Sequence, residues 1–134
     1  MSAMAPPPPA DLGYSATVAD LYASMPGAGR PPDSGGWAVG EARDALSGTH
    51  VRWYLRAEAG RIAAARYEVR GCPHTMAAAA VIAAALPGQP AGATRIDVAA
   101  VAASLEAPAE KLGRLFVIED AVRDAALLLA GPHP

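Results

Sequence analysis

Cysteine is almost missing from this chain of 134 residues: Cys72 stands alone, so no disulfide can form within it. Lysine is equally scarce, with Lys111 the single example and arginine supplying the other positive charges. The formal net charge is −2, so the basic excess that favours nucleic acid or an anionic membrane surface is absent. No apolar run reaches the roughly 18 residues of a membrane-spanning helix. A basic region and apolar core of a signal peptide are also missing, and Pro6 to Pro9 would interrupt one. The expected location is therefore cytoplasmic, with no membrane and no nucleic acid as partner. Catalytic signatures are lacking as well. There is no serine–histidine–acid arrangement, no P-loop and no dinucleotide fingerprint, and Glu119 and Asp120, adjacent on one helix, point in different directions. Nothing here reads as an enzyme.

What the chain does have is a hydrophobic fraction of 52%, much of it alanine, so the few large side chains must supply most of the burial at about 25 cal/mol per Å². The length suits one domain. Residues 1–13 are small and proline-rich and read as a disordered tail, residues 14–130 as the domain, and residues 131–134 as a second tail. Ser15 is a suitable N-cap for a helix running to about Met25, before Pro26. Three strand segments follow. The first, from Trp37 to Arg43, is interrupted by Gly40. In the second, Val51, Trp53 and Leu55 alternate with Arg52, Tyr54 and Arg56. The third, from Ile62 to Arg70, is joined to it by Glu58-Ala59-Gly60 and alternates Ala65, Tyr67 and Val69 with Arg66, Glu68 and Arg70. Such runs predict an antiparallel hairpin with one wet face. Helical patterns then cover Pro73 to Leu86, Asp97 to Leu105 and Ala109 to Leu129, the last with Leu115, Ile118, Val122, Ala125 and Leu129 on one stripe. Strands first and helices afterwards predict an α+β fold: a small three-stranded antiparallel sheet with helices packed mainly on one face.

The most informative local feature is Arg70-Gly71-Cys72-Pro73-His74. Proline favours the first position of a helix, which makes Cys72 the N-cap, with its sulfur facing free N–H groups and the positive end of the helix dipole. That setting lowers a thiol's pKa and favours the thiolate, which attacks sulfur and binds metal. The alternative is a buried structural cysteine, since free cysteine is among the most buried residue types. For metal binding the sequence is poor, with no C-x-x-C or H-x-x-x-H pair. Cys72 and His74 are two residues apart and His50 lies at the head of a strand, so a mixed Cys/His site from these three is the one metal arrangement the sequence offers.

The segments also resemble the scaffold proteins of iron–sulfur cluster assembly of the IscU type, similar to the N-terminal domain of NifU. Tyr14-Ser15 with Val18, Asp20 and Tyr22 is similar to the opening helix of that family. Gly60, Ala65-Arg66-Tyr67 and Gly71-Cys72 resemble its second hairpin strand and central cysteine. Pro108-Ala109-Glu110-Lys111-Leu112 and Glu119-Asp120-Ala121 resemble its last helix. The resemblance implies a scaffold-like role in cluster assembly, with iron, an iron–sulfur cluster or persulfide sulfur on Cys72. A cysteine desulfurase and other assembly proteins are the partners it implies. It also implies losses. Of the three ligand cysteines only the middle one remains; the third falls at Arg114 and the preceding histidine at Gly113. The first falls near Ala45 or Leu46, and its companion aspartate at Ser47 or Gly48, with Asp44 out of register. The segment read by the family's chaperone becomes Ala107-Pro108-Ala109-Glu110-Lys111, keeping one proline and the lysine. Arg114 cannot ligate iron but would stabilise a thiolate or persulfide on Cys72. The resemblance therefore leaves open a second role, a cluster-less module that docks on a desulfurase or another assembly partner.

Overall fold

A computed structural model describes residues 14–32 and 35–130; the tails expected at residues 1–13 and 131–134 lie outside the described residues. Helix α1 spans Ala16–Ser24. Ser15 caps it in an extended conformation, its hydroxyl accepting the Val18 N–H at 3.2 Å, and Met25 ends it in the left-handed region with φ 43°. Strands β1 (Ala38–Asp44), β2 (Thr49–Glu58) and β3 (Arg61–Arg70) form one antiparallel sheet in the order β1-β2-β3. The β2–β3 turn is tight because Ala59 and Gly60 both take positive φ, 53° and 77°, the handedness that matches strand twist in a two-residue hairpin. Helix α2 spans Pro73–Ala85, α3 spans Val98–Ser104 behind an Asp97 cap, and α4 spans Leu112–Ala130. The last helix was expected to begin at Ala109; Ala109–Lys111 instead form a 3₁₀ turn after Pro108.

Strand pairing sorts the side chains into two faces. Gly40, Trp53 and Tyr67 lie side by side, as do Ala42, Val51 and Val69, and these face the helices. Helix α4 crosses β1 and β2 while α2 covers β3. Leu115, Ile118, Val122 and Ala125 of α4 are buried together with Val51, Trp53, Leu55 and Tyr67, and Val69 packs half-buried at the margin. The Trp53 and Tyr67 rings meet at 5.3 Å. The expected arrangement of helices on one face of the sheet is therefore the observed one.

Two expectations change. Gly40 does not interrupt β1: it pairs with Trp53 in mid-strand, and a Cβ there would lie 2.2 Å from the Ala121 carbonyl oxygen and 2.3 Å from the Ala125 nitrogen. The missing side chain is what lets α4 lie against the strand. Tyr54 sits on the outer face as its alternation requires, yet it is 6% exposed, because its hydroxyl donates to the Glu68 carboxylate and its ring is covered.

Candidate functional site

Cys72 ends the run out of β3 and caps α2, with φ −76° and ψ 166°, and Pro73 takes the first helical position. It accepts the Met76 N–H on its carbonyl at 3.0 Å, the first bond of the helix. Gly71 before it leaves room for Thr75, whose methyl and Cβ would each stand 3.2 Å from an added Cβ. The Thr75 hydroxyl is 3.3 Å from the Cys72 sulfur. This is the reach of a threonine at the third helical position back to its own N-cap, the geometry that capping-box pairs use.

Five influences compete at the sulfur. Burial pushes the thiol up, since a thiolate loses water there. The Thr75 hydroxyl, the Thr75 backbone N–H, the Arg114 guanidinium and the charge on Lys111 pull it down, and together they prevail. Cys72 therefore lies below the ordinary thiol range while remaining partly exposed. Thiolate is the form in which a cysteine attacks sulfur or binds a soft metal.

Arg114 comes to the sulfur from the first turn of α4, and Lys111 from the 3₁₀ turn before it. The same guanidinium also acts on Asp44, at the end of β1. Asp44 is held by the β1–β2 turn: its carboxylate accepts the Ser47 hydroxyl at 2.8 Å and the Leu46 N–H at 3.3 Å. These bonds, from Ser47 first and Leu46 next, keep its carboxyl below the usual range, with Arg114 adding to the effect. Three elements thus meet here: the turn after β1, the start of α2 and the start of α4. Asp44 was set aside by register, and Thr75 and Lys111 were not singled out. The signals were an aspartate three residues before a serine at a turn, and a threonine three residues after a helix-capping cysteine.

His74, the other candidate ligand, points away into the protein. It is 4% exposed, its ring lies 4.8 Å from that of Tyr14, and neither ring nitrogen has a hydrogen-bond partner among the described residues. Burial first, and Lys111 second, depress its pKa, so it is neutral near pH 7. His50 does not join Cys72. It projects from the outer face of the sheet, bound to the Glu41 carboxylate and 3.4 Å from Arg43. The three-residue Cys/His arrangement fails because strand alternation sends His50 away from the helices. Among the described residues no group of three or more His, Cys, Asp or Glu side chains is placed to hold a metal ion.

The NifU-like N terminal domain profile matches residues 13–128, nearly the whole described chain. The chain belongs to that family. Among 37 matching solved chains is a NifU-like protein (N-terminal) from Brucella abortus, 19% identical, with a TM-score of 0.65 over 83% of this chain and 90% of that one. A second, from Fervidobacterium islandicum AW-1, is named for scaffold function in iron–sulfur cluster assembly by the SUF system. It is 14% identical, with a TM-score of 0.69 over 89% of this chain and all of that one. At such identities the likeness is one of fold. No curated protein matches. Within the NifU-like domain, Cys72 occupies the junction between hairpin and helix, and no described helix is long and apolar enough to cross a membrane.

Proposed function

We propose that this NifU-like domain serves iron–sulfur cluster assembly in the cytoplasm as a carrier of sulfur on Cys72, not as a stable holder of a cluster. The observation that supports this most is the single thiol, biased to thiolate by Thr75, Arg114 and Lys111 and still partly open to solvent. The cluster does not fit the residues present. Cys72 is the only thiolate, Asp44 is committed to Ser47, Leu46 and Arg114, and Arg114 is a cation that cannot ligate iron. The sulfur step balances without an external oxidant. The Cys72 thiolate attacks the outer sulfur of a persulfide on a cysteine desulfurase; that S–S bond breaks, a new one forms on Cys72, and the donor cysteine leaves as thiolate. Arg114 and Lys111 then face the negative terminal sulfur of the product. Incubation with a cysteine desulfurase and free cysteine should add one sulfur atom to the intact mass, reversibly by dithiothreitol and not in Cys72→Ser. No mass gain in the wild-type protein would overturn the carrier role.

A second reading has one observation in its favour. His74 is neutral and both its nitrogens lack partners among the described residues, so it is the co-ligand a transient iron on Cys72 would recruit, once the ring turns outward from its buried seat beside Tyr14. Anaerobic titration with ferrous iron tests it: a near-equimolar site lost in both Cys72→Ser and His74→Phe supports iron, and no binding removes it. Protein that takes neither sulfur nor iron while still binding a desulfurase would be a cluster-less docking module.

A further inference from the structure

The sheet face turned away from the helices is strongly basic in a protein that is acidic overall. Arg43, Arg52, Arg56, Arg66 and Arg70 project from it by strand alternation, and Arg30 joins from the loop after α1 through its contact with Glu68 at 3.8 Å. With Arg61 at the hairpin end, seven of the eleven basic residues stand here against three acids among the described residues, Glu41, Glu58 and Glu68. The rest of the sequence is left with four basic residues and ten acids. One row of this face, Arg43–His50–Arg70, is entirely basic and runs across all three strands.

Arg52 and Arg66 are held in place, and Arg43 lies beside the same carboxylate as Arg52. Glu41 accepts from Arg52 at 3.2 Å, lies 3.7 Å from Arg43, and also binds His50. Arg66 donates to the Gly29 and Ala28 carbonyls at 3.0 and 2.9 Å. Arg70 and Arg30 remain exposed. Between them opens a cleft of about 190 Å³ lined by Arg30, His50, Arg52, Glu68, Val69 and Arg70. Guanidinium forks ordered beforehand lose less entropy when a carboxylate arrives, and they match its two oxygens.

We propose that this face docks an acidic protein segment, one of whose carboxylates seats in the cleft beside Arg70. A nucleic acid fits less well for two reasons. Glu41 and Glu68 are interleaved among the arginines, where a continuous phosphate backbone would meet them, whereas spaced acidic side chains pass between. The aromatic rings of the face are already covered, Tyr54 by burial to 6% exposure and Trp37 by Arg56 at 5.1 Å, so bases find no free stacking platform. The proposal is independent of the chemistry at Cys72.

The test uses the full chain and a fluorescein-labelled decapeptide of alternating acidic and small residues, followed by anisotropy at physiological and raised salt. Binding should weaken steeply with salt. Arg43→Glu with Arg70→Glu should weaken it at least about tenfold, and the milder Arg43→Gln with Arg70→Gln by less. Arg95→Glu with Arg123→Glu, two arginines elsewhere in the fold, should change it less than about twofold. Preserved circular dichroism shows that each variant is folded; if the glutamate pair does not fold, the glutamine pair decides. Three results overturn the proposal: no peptide binding at physiological salt, equal loss in the Arg95/Arg123 control, or tighter binding of an oligothymidylate of equal charge. Sedimentation of the unlabelled protein covers the remaining case. Self-association abolished by Arg43→Glu with Arg70→Glu would make a second copy the occupant and overturn the acidic partner.

Discussion

Replacing Gly40 with alanine isolates the contact on which the helix–sheet packing depends. Gly40 does not have a positive φ, so alanine can adopt its backbone, and in open space the change would stabilise by about 0.4–1 kcal/mol through the unfolded chain. Here the new methyl would stand 2.2 Å from the Ala121 oxygen, 2.3 Å from the Ala125 nitrogen and 2.9 Å from the Ala125 Cα. All three atoms are backbone, so no side chain can rotate away. Helix α4 must lift away from β1, loosening Ile118, Val122 and Ala125 over Trp53 and Val51. Overpacking of this kind costs about 1–3 kcal/mol, and the rigidity of the neighbours puts Gly40→Ala at the upper end. Urea denaturation measures the loss directly, and thermal melting should fall by roughly 8–12 °C at about 4 °C per kcal/mol for a chain of this size. Gly113→Ala is the matched control: no atom lies within 4 Å of its added Cβ, and within α4 it should gain about 0.5–1 kcal/mol. A Gly40→Ala loss below about 0.5 kcal/mol, the range of surface changes, would refute the close approach of α4 to β1.

Other consequences are as direct. Ile118→Ala, at a fully buried position, should cost about 2–5 kcal/mol by urea denaturation, and a loss below about 0.5 would mean that the α4 stripe faces water. Tyr67 donates to the Pro26 carbonyl at 2.8 Å, and burial pushes its phenol up to about 12. Its folded pKa exceeds the unfolded value of 10.0, so its contribution is intact below that value and is lost as the pH rises toward 12. Tyr67→Phe should flatten that decline, and an unchanged alkaline profile would contradict the assignment. His74 runs the other way. Its depressed pKa means that stability present above the unfolded value of 6.5 is lost as the pH falls through the folded one. His74→Phe should reduce this acid sensitivity in melts between about pH 4 and 7. Wild-type and variant curves that stay parallel there would show that His74 titrates freely.

The fold was legible in the sequence because its two periods are cleanly written. Alternation from Val51 to Arg70 and the stripe from Leu115 to Leu129 placed sheet and helix, and Ser15 marked a helix start by its capping chemistry. Local punctuation misled at Gly40, where a strand breaker by propensity is a packing device by tertiary contact. At the site, Cys72 followed by Pro73 was enough to place the sulfur on a helix N-terminus. Arg114 was found only through the family resemblance, since its neighbourhood arises from residues far apart in the chain. Asp44 escaped because a turn that folds back on Ser47 does not respect alignment register. His50 was misjudged for a simpler reason, since one step of strand alternation sends it to the opposite face from Cys72.

The central claim is that this lone thiol is reactive, and the rate of Cys72 alkylation by iodoacetamide against pH tests it most directly. Thr75, Arg114 and Lys111 outweigh burial at the sulfur, so the midpoint should fall below that of an unperturbed thiol. Arg114→Leu should move it upward, as should Thr75→Val, each while the protein remains folded. A wild-type midpoint at or above the ordinary thiol value, unmoved by Arg114→Leu, would reduce Cys72 to core filler and remove the sulfur-carrying role with it.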